Sequence, residues 1–410
     1  MLIFFSKGTT MKNFIQVTYK YKPNDKVANL TEVNDLLDAY SKIYEPSRSN
    51  LLADVKENFP IVTDENNEVR ILGTAPALKL VNQIDNHKLD VQLAPTELTN
   101  VDFKLVPPSS GYEMYFEIND KKVSTLYNAK DTFLDHYSLS KYANFLLQND
   151  KKRNLLDELK DLQETKELSS KKAIYRFIEN DGKQYLRAIV SDRYKFYDNP
   201  VALYIAIAAI SKYSSTYKKD FILENLILTD SKLFVYFLEK DPVPVDKNIT
   251  IQTGLVLTNS ELGDGCASFK VYYIIRDSNN NRVVGLTDQI ANINHGNKPA
   301  KIETSFNNLD QLKHQRDDII QAVKKVAWTK KLTRDDLDTI SHLISHIQSP
   351  VPKTLKENMA KCVDSNSILE KSYTLLKLFD KFNSFIEAEN PNIQLIMEKR
   401  LSRWLARFAK

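Results

Sequence analysis

Cations stand next to aromatic side chains in one stretch near the middle of this sequence, LRAIVSDRYKFYDN at residues 186–199. Its candidate binding residues are Arg187, Arg193, Tyr194, Lys195 and Phe196. Lysine and arginine bind phosphate groups and aromatic rings stack on unpaired bases, so these residue types suit a single strand of nucleic acid. The alternative interpretation is a core strand and its turn, in which Asp192 pairs with Arg193 and Tyr194 packs inside.

The same stretch alternates in the manner of a β-strand before it reaches the turn. With a period of two, Leu186, Ala188 and Val190 share one face, which we expect to be the core face. Arg187 then belongs to the opposite face. The strand pattern leaves two alternatives for Arg187: it faces solvent and contacts a ligand, or it is a buried support.

A second stretch with candidate binding chemistry is TGLVLTNSELGDGCASFKVYYIIR at residues 253–276. Its polar loop holds Asn259, Ser260, Glu261 and Gly263, and such a loop can cradle a phosphate through backbone N–H groups. The loop lacks the G-x-x-x-x-G-K-[ST] pattern of nucleotide-binding loops, and the chain contains no G-x-G-x-x-G. The sequence therefore indicates no nucleotide site of either kind.

The strand that follows this loop has one basic face. Lys270, Tyr272 and Arg276 alternate along one side, while the other side is more apolar. A basic face with a stacking ring suits a nucleic-acid groove. The alternative is an ordinary amphipathic strand at the surface.

The end of the sequence, IMEKRLSRWLARFAK at residues 396–410, predicts a basic amphipathic helix. One apolar stripe holds Met397, Leu401, Trp404 and Phe408. The remaining faces hold the cations Lys399, Arg400, Arg403, Arg407 and Lys410. Such a helix can bind nucleic acid, a membrane surface or a partner groove, or it can pack on its own domain.

Catalytic and metal-binding patterns are weak throughout. His342 and His346 are spaced as on one helix face, but no glutamate of an H-E-x-x-H motif lies between them. We predict no catalytic residue, no metal site and no cofactor, and therefore a protein that is not an enzyme. The remaining enzyme hypothesis requires one site that combines Ser191, Asp192, Asn259 and Glu261.

The hydrophobic periodicity predicts an α+β fold: a mostly antiparallel sheet with helices packed on it, followed by a C-terminal all-helical region. Hairpins are predicted around DGK at 181–183 and around TDSK in LILTDSKLFVYF, and a strand pair at 59–64 and 69–74. PVALYIAIAAI predicts a buried helix. We divide the chain into an N-terminal α+β region at 1–120, a core domain at 121–300 and a helical region at 301–410.

Composition limits the class of protein without choosing a function. The 410 residues are 42% hydrophobic and 27% charged, which is typical of a globular protein. A net charge of +4 permits a nucleic-acid partner without requiring one. The two cysteines predict no disulfide framework, and no segment predicts a signal peptide or a membrane span. We expect a cytoplasmic protein.

Taken in order, the two polar stretches resemble a family of phage- and plasmid-borne proteins that is known only as a domain of unknown function. Its R-A-x-x-S-D-R-Y and N-S-E-x-G patterns match Arg187, Ala188, Ser191, Asp192, Arg193 and Tyr194, then Asn259, Ser260, Glu261 and Gly263. His295–Gly296 is a weaker third match, and the resemblance covers about residues 120–300. Members often carry a Cys-Thr-Asn-Gly-like segment where this chain has RDSNNNRVVG, so a site that needs that segment is not expected here.

The resemblance implies a role in replication, recombination or counter-defence, in the cytoplasm of a host cell or in a virion. From it we expect a nucleic-acid-binding protein, specifically a single-stranded-DNA-binding, annealing-type recombination protein that forms a homo-oligomer. The alternative is a non-enzymatic structural or virion-associated protein that contacts partners through its C-terminal helices.

Overall fold

A computed structural model describes residues 15–43, 49–85, 87–106, 111–165, 171–306, 309–328, 330–363 and 373–408. Within these residues the chain forms two β-sheets with helices packed on them, followed by a helical C-terminal region. All but two of the strand pairs are antiparallel. The predicted α+β class, with its mostly antiparallel sheet and helical C-terminal region, is confirmed.

The strands are numbered in chain order. They are β1 Gln16–Lys20, β2 Ile71–Leu72, β3 Lys88–Leu93, β4 Thr99–Leu105, β5 Tyr112–Ile118, β6 Lys121–Thr125, β7 Ala173–Asn180, β8 Lys183–Val190, β9 Phe221–Thr229, β10 Lys232–Glu239, β11 Val243–Asp246, β12 Ile249–Ser260, β13 Ala267–Asp277 and β14 Arg282–Ile293. The larger sheet has the order β1-β9-β10-β12-β13-β14, with β2 beside β9 and β11 beside β12. The smaller sheet has the order β3-β7-β8-β6-β5-β4.

The α-helices are numbered in the same way. They are α1 Leu30–Ile43, α2 Ser49–Asn58, α3 Thr74–Asp85, α4 Ala129–Asp135, α5 Ser140–Gln148, α6 Lys152–Glu164, α7 Asn199–Tyr217, α8 Pro299–Phe306, α9 Leu309–Lys324, α10 Arg334–Ser345, α11 Lys353–Val363, α12 Leu375–Ile386 and α13 Pro391–Leu405. Helices α1, α3 and α7 pack on the larger sheet, and α4 to α6 cover the smaller one.

Helix α7 lies inside the molecule because it is apolar on every side, as PVALYIAIAAI predicts. It begins after Asp198, whose backbone is extended, and Pro200 in its first turn favours helix initiation. It ends at Lys218, which has a left-handed backbone. The helix therefore starts at a defined point between the two sheets, beside the residues described in the next subsection.

Both predicted hairpins form. Asp181 and Gly182 have φ values of 51° and 69° in the β7–β8 turn, which is the geometry that a two-residue hairpin loop requires. The β9–β10 pair turns at Asp230 and Ser231. The boundary predicted near residue 120 falls in the turn between β5 and β6, which pair with each other, so strands from both sides of it share the smaller sheet.

The predicted strand pair at 59–64 and 69–74 is wrong. In this region only β2 is a strand, and it pairs in parallel with β9. The Asp64 carboxylate accepts hydrogen bonds from the backbone N–H groups of Asn66 and Glu68, which closes a turn instead of a ladder. Thr74 then donates to the carbonyl of Ile71 and accepts from Ala28, and this fixes the start of α3.

The last helix packs on its own chain. Met397, Leu401 and Trp404 of α13 are buried with α9 to α12, and Phe408 is partly buried there. The apolar stripe predicted from the sequence is therefore covered by the protein itself. No helix in the described part of the chain is both long and apolar enough to cross a membrane.

Candidate functional site

The two polar stretches at residues 186–199 and 253–276 meet through a buried ion pair. Arg187 lies on β8 and is fully buried, and its Nη1 atom is 2.6 Å from Glu261 Oε2 at the end of β12. The same atom donates to the carbonyl of Asp230 at 2.9 Å. Of the two alternatives for Arg187 the buried support is the one observed, because the residues on both faces of the second half of β8 are covered. In this position Arg187 cannot contact a phosphate from solvent.

Further buried charges surround this pair and join the two sheets. We call the pair and these charges together the junction cluster: Asp85, Lys88, Asp90, Arg176, Arg187, Asp198 and Glu261. They come from α3, β3, β7, β8, the residue before α7, and the end of β12. Every one of these side chains is at most 3% exposed.

Each cation of the junction cluster contacts carboxylates. Lys88 Nζ is 2.5 Å from Asp85 Oδ1 and 2.9 Å from Glu261 Oε2. Arg176 binds both oxygens of Asp198, and its Nε atom is 3.1 Å from Asp90 Oδ2. Buried charges of both signs at these distances hold each other in place, and removal of one partner leaves an uncompensated charge.

The Glu261 carboxylate also fixes the start of helix α7. Its Oε1 atom accepts a hydrogen bond from the backbone N–H of Asn199 at 2.8 Å. An acidic group at a helix N-terminus is stabilised by the helix dipole and by the unsatisfied N–H groups there. Glu261 therefore links β12, β3, β8 and α7 through a single side chain.

Burial and charge shift the acid–base properties of the junction cluster. Burial raises the pKa of Asp85 to about 6. Burial alone would lower the pKa of Lys88, but the neighbouring carboxylates of Asp85 and Glu261 outweigh this effect and raise it. The pKa of Arg176 is likewise raised, against the effect of burial, by Asp198 and Asp90. Lys88 and Arg176 therefore stay charged.

Tyr194 and His295, from the first and third matching segments, also meet. Their rings stack with centroids 4.5 Å apart, and the ring of Phe196 meets Tyr194 edge-on at 5.5 Å. The Arg176 guanidinium lies over both Tyr194 and Phe196. The Lys195 backbone N–H donates to the His295 carbonyl at 2.8 Å. These rings pack against the junction cluster, so they are occupied by contacts within the protein.

The polar loop after β12 is held by its own hydrogen bonds. Asn259 donates to the Tyr197 carbonyl and to the Asn199 side chain, and Ser260 donates to Asp264. Gly263 has a φ of 77°, and a β-carbon there would lie 3.0 Å from Val190. Gly263 is exposed and Asn259 is buried. The close approach of Gly263 to Val190 places the loop where the end of β12 meets the end of β8.

The four side chains of the enzyme hypothesis do not line one site. Ser191 and Asp192 are exposed, whereas Asn259 and Glu261 are buried. In the described residues no group of three or more histidine, cysteine, aspartate or glutamate side chains has the arrangement of a metal site. Of the binding residues predicted from the first stretch, Arg193 alone is exposed.

The predicted basic face of β13 is covered by helix α13. Tyr272 is 6% exposed and packs with Ile274 of the same strand and with Leu395 of helix α13. Lys270 is half-buried, and burial together with the charge of Lys399 lowers its pKa. Arg276 is half-buried and donates to Gln252. The prediction that this face is exposed is wrong, because the C-terminal helices fold back over the larger sheet.

A surface with positive charges lies instead along helix α13. We call it the basic groove, a cavity of about 410 Å³ lined by Leu343, His346, Ile396, Lys399, Arg400, Arg403, Trp404 and Arg407. Arg403 and Arg407 are exposed, and Lys399 and Arg400 are half-buried. None of the described residues that line it is acidic. The spacing of these cations along the tail could be read from the sequence. The opposite wall of the groove, formed by Leu343 and His346 at the end of α10, could not.

The junction cluster contains five residues that the sequence analysis did not single out, namely Asp85, Lys88, Asp90, Arg176 and Asp198. A signal existed in β3, since Lys88 and Asp90 share one face of a strand that pairs with the mostly buried β7. A search of protein-family models, of curated proteins and of solved structures found no match to this chain. Its function must therefore be argued from its own side chains.

Proposed function

We propose that this protein binds nucleic acid, and that the basic groove is the contact surface. The observation that carries the proposal is the row of Lys399, Arg400, Arg403 and Arg407 along one cavity wall lined by no acidic residue in the described chain. Arginine and lysine bind phosphate oxygens with charge-assisted hydrogen bonds, and release of counterions drives the association. The resemblance to a mobile-element family agrees with this role.

The proposed interface does not include most of the binding residues predicted from the two polar stretches. Arg187 and Tyr194 lie in or against the junction cluster, and Tyr272 lies beneath α13. We infer that these residues support the fold, and that Arg193 and Lys195 contribute at most to a second, weaker contact. The single-stranded-DNA-binding, annealing role and the homo-oligomer stay proposals.

A charge-reversal experiment tests the groove. Arg403→Glu with Arg407→Glu changes two exposed side chains and should lower the affinity for a labelled oligonucleotide at least roughly 10-fold at low salt. The matched control is Lys121→Glu with Lys122→Glu, which makes the same change of charge at two exposed positions of β6. Fluorescence anisotropy measures both variants. Equal affinities in the two variants would overturn the proposal.

Anionic lipid is the competing ligand for a basic helix. The apolar stripe of α13 is buried, so the helix cannot insert that stripe into a bilayer while it stays packed. Binding to vesicles that contain phosphatidylserine, without binding to oligonucleotides at low salt, would contradict a nucleic-acid function. Circular dichroism of each variant should confirm that the fold is unchanged.

A further inference from the structure

A second cavity lies beside the basic groove, and the proposed phosphate contacts in the groove give it no role. Its volume is about 270 Å³, and it lies between β13, β14, the end of α9 and α13. Its walls are mainly apolar and include Tyr273, Leu286, Val323 and Trp328. Thr287 adds one hydroxyl group. We call it the apolar pocket.

The two cavities share part of their lining. Lys399 and Arg403 line both the apolar pocket and the basic groove, so positive charge stands at the border between the two cavities. A ligand that occupies both cavities would place anionic groups beside these cations and an apolar group in the apolar pocket. Single-stranded nucleic acid has this chemistry, since phosphates alternate with bases whose π-faces are apolar.

The pocket wall is held in place by hydrogen bonds. Ser402 Oγ accepts from the Tyr273 hydroxyl at 2.9 Å and from the backbone N–H of Leu286 at 2.7 Å, and it donates to the Glu398 carbonyl at 3.1 Å. Trp328 donates its indole N–H to the Val323 carbonyl at 2.8 Å. The aromatic walls are thus fixed before a ligand arrives, which lowers the entropic cost of binding.

We propose that the apolar pocket receives one unstacked base of a single-stranded nucleic acid whose phosphates lie along the basic groove. This inference rests on the proposed function and makes it specific for single strands. A base in a duplex is paired and stacked, and must be extruded at a cost before it can enter such a pocket. A base in a single strand can enter the apolar pocket without that cost.

The two tryptophans of the chain give a direct measurement. Trp328 lines the apolar pocket and Trp404 lines the basic groove. In Trp404→Phe the emission comes from Trp328 alone, and a single-stranded oligonucleotide should quench it. An abasic oligonucleotide with the same phosphates should not quench it, and should bind roughly 10-fold more weakly because stacking is lost. Equal quenching, or equal affinity, for the two ligands would overturn the proposal.

A pocket-filling variant gives a second test that does not need Trp404→Phe to fold. Ala322 is exposed at the pocket, so Ala322→Phe can occupy the pocket without a change in the buried core. We expect it to abolish the preference for single strands over duplexes while duplex affinity stays within about 2-fold. Ala53→Phe, at an exposed position of α2, is the control and should keep the preference.

The outcomes separate the two proposals. If Arg403→Glu with Arg407→Glu weakens both single-strand and duplex binding while Ala322→Phe changes neither, the groove is the interface and the base pocket is wrong. If the charge reversal has no effect on either ligand, the proposed function itself fails. Loss of the single-strand preference in Ala322→Phe alone supports the base pocket.

Discussion

Arg187 and Arg193 belong to one motif but have opposite surroundings. Arg187 is fully buried against Glu261, whereas Arg193 is exposed. Removal of a buried ion-pair partner leaves a buried charge without compensation, and the desolvation cost of that charge then destabilises the fold. The same change at an exposed position affects few contacts.

We therefore predict that Arg187→Leu lowers the free energy of unfolding by about 3 kcal/mol or more. Arg193→Leu should change it by less than about 0.5 kcal/mol. Urea denaturation followed by circular dichroism measures both. Similar losses in the two variants would show that the junction cluster is not the buried support described above.

Glu398 is a second buried carboxyl group with shifted acidity. It lies on α13 at 7% exposure, and burial, with the charges of Glu387 and Glu224, raises its pKa from 4.5 to about 8. Between these values the folded protein keeps a proton that the unfolded chain loses, so stability falls as the pH rises through this window. Above the folded-state pKa the loss is complete.

Glu398→Gln removes this titration. We expect the variant to be more stable than the unchanged protein by about 1–3 kcal/mol near pH 9, with little difference near pH 4. Urea midpoints at the two pH values measure the effect. A stability gain that is the same at both pH values would contradict the raised pKa of Glu398.

At the scale of elements, the contact between α13 and the larger sheet depends on Ser402. Its hydroxyl accepts from Tyr273 and from the Leu286 backbone. Ser402→Ala leaves those donors without their partner, so we expect a loss of about 1–3 kcal/mol and faster hydrogen exchange in α13. Ser384→Ala is the control, since that exposed hydroxyl bonds only within α12. Unchanged exchange in Ser402→Ala would exclude this role.

Local patterns predict the elements whose signals are local. The turn residues Asp181 and Gly182 predict the β7–β8 hairpin, and an unbroken apolar run predicts α7. The start of α3 could not be predicted in this way, because Thr74 is fixed by a hydrogen bond to Ala28, far away in the sequence. Whether a strand face is exposed could not be predicted for the same reason. Alternation places Tyr272 on one face of β13, but only tertiary packing decides that α13 covers that face.

The candidate site is partly readable from the sequence. The cations of the tail can be read from their spacing, but the basic groove also needs α10, which contributes Leu343 and His346. The junction cluster was missed because Arg187 and Glu261 look like surface charges when each stretch is considered alone. Their pairing needs two sheets to meet, and that is a property of the whole chain.

At the scale of the whole molecule, the two polar stretches and the proposed interface lie in different regions. The junction cluster joins the two sheets, and it contains Arg187 and Glu261 of the two stretches. The basic groove lies on the C-terminal helices. These helices pack against Ile249 of β12, Ile275 of β13 and Val283 of β14. Arg187 and Glu261 therefore support the fold, whereas the proposed ligand contacts lie on the tail helix.

This division has a consequence for deletion experiments. Removal of residues 391–410 would take Met397, Leu401 and Trp404 out of the core of the C-terminal region, so loss of binding or assembly would follow from unfolding. Charge changes at Arg403 and Arg407 leave that core intact because both side chains are exposed. Surface variants are therefore the valid test of any role for these helices.

The dependence of oligonucleotide affinity on salt shows whether the basic groove binds phosphates. Four groove cations that each neutralise a phosphate predict that log K falls with log salt concentration with a slope of about −3 for a single strand. Arg403→Glu with Arg407→Glu should reduce that slope to about half or less, while Lys121→Glu with Lys122→Glu leaves it unchanged. Absence of binding at low salt, or a slope that the groove variant does not change, would contradict the account.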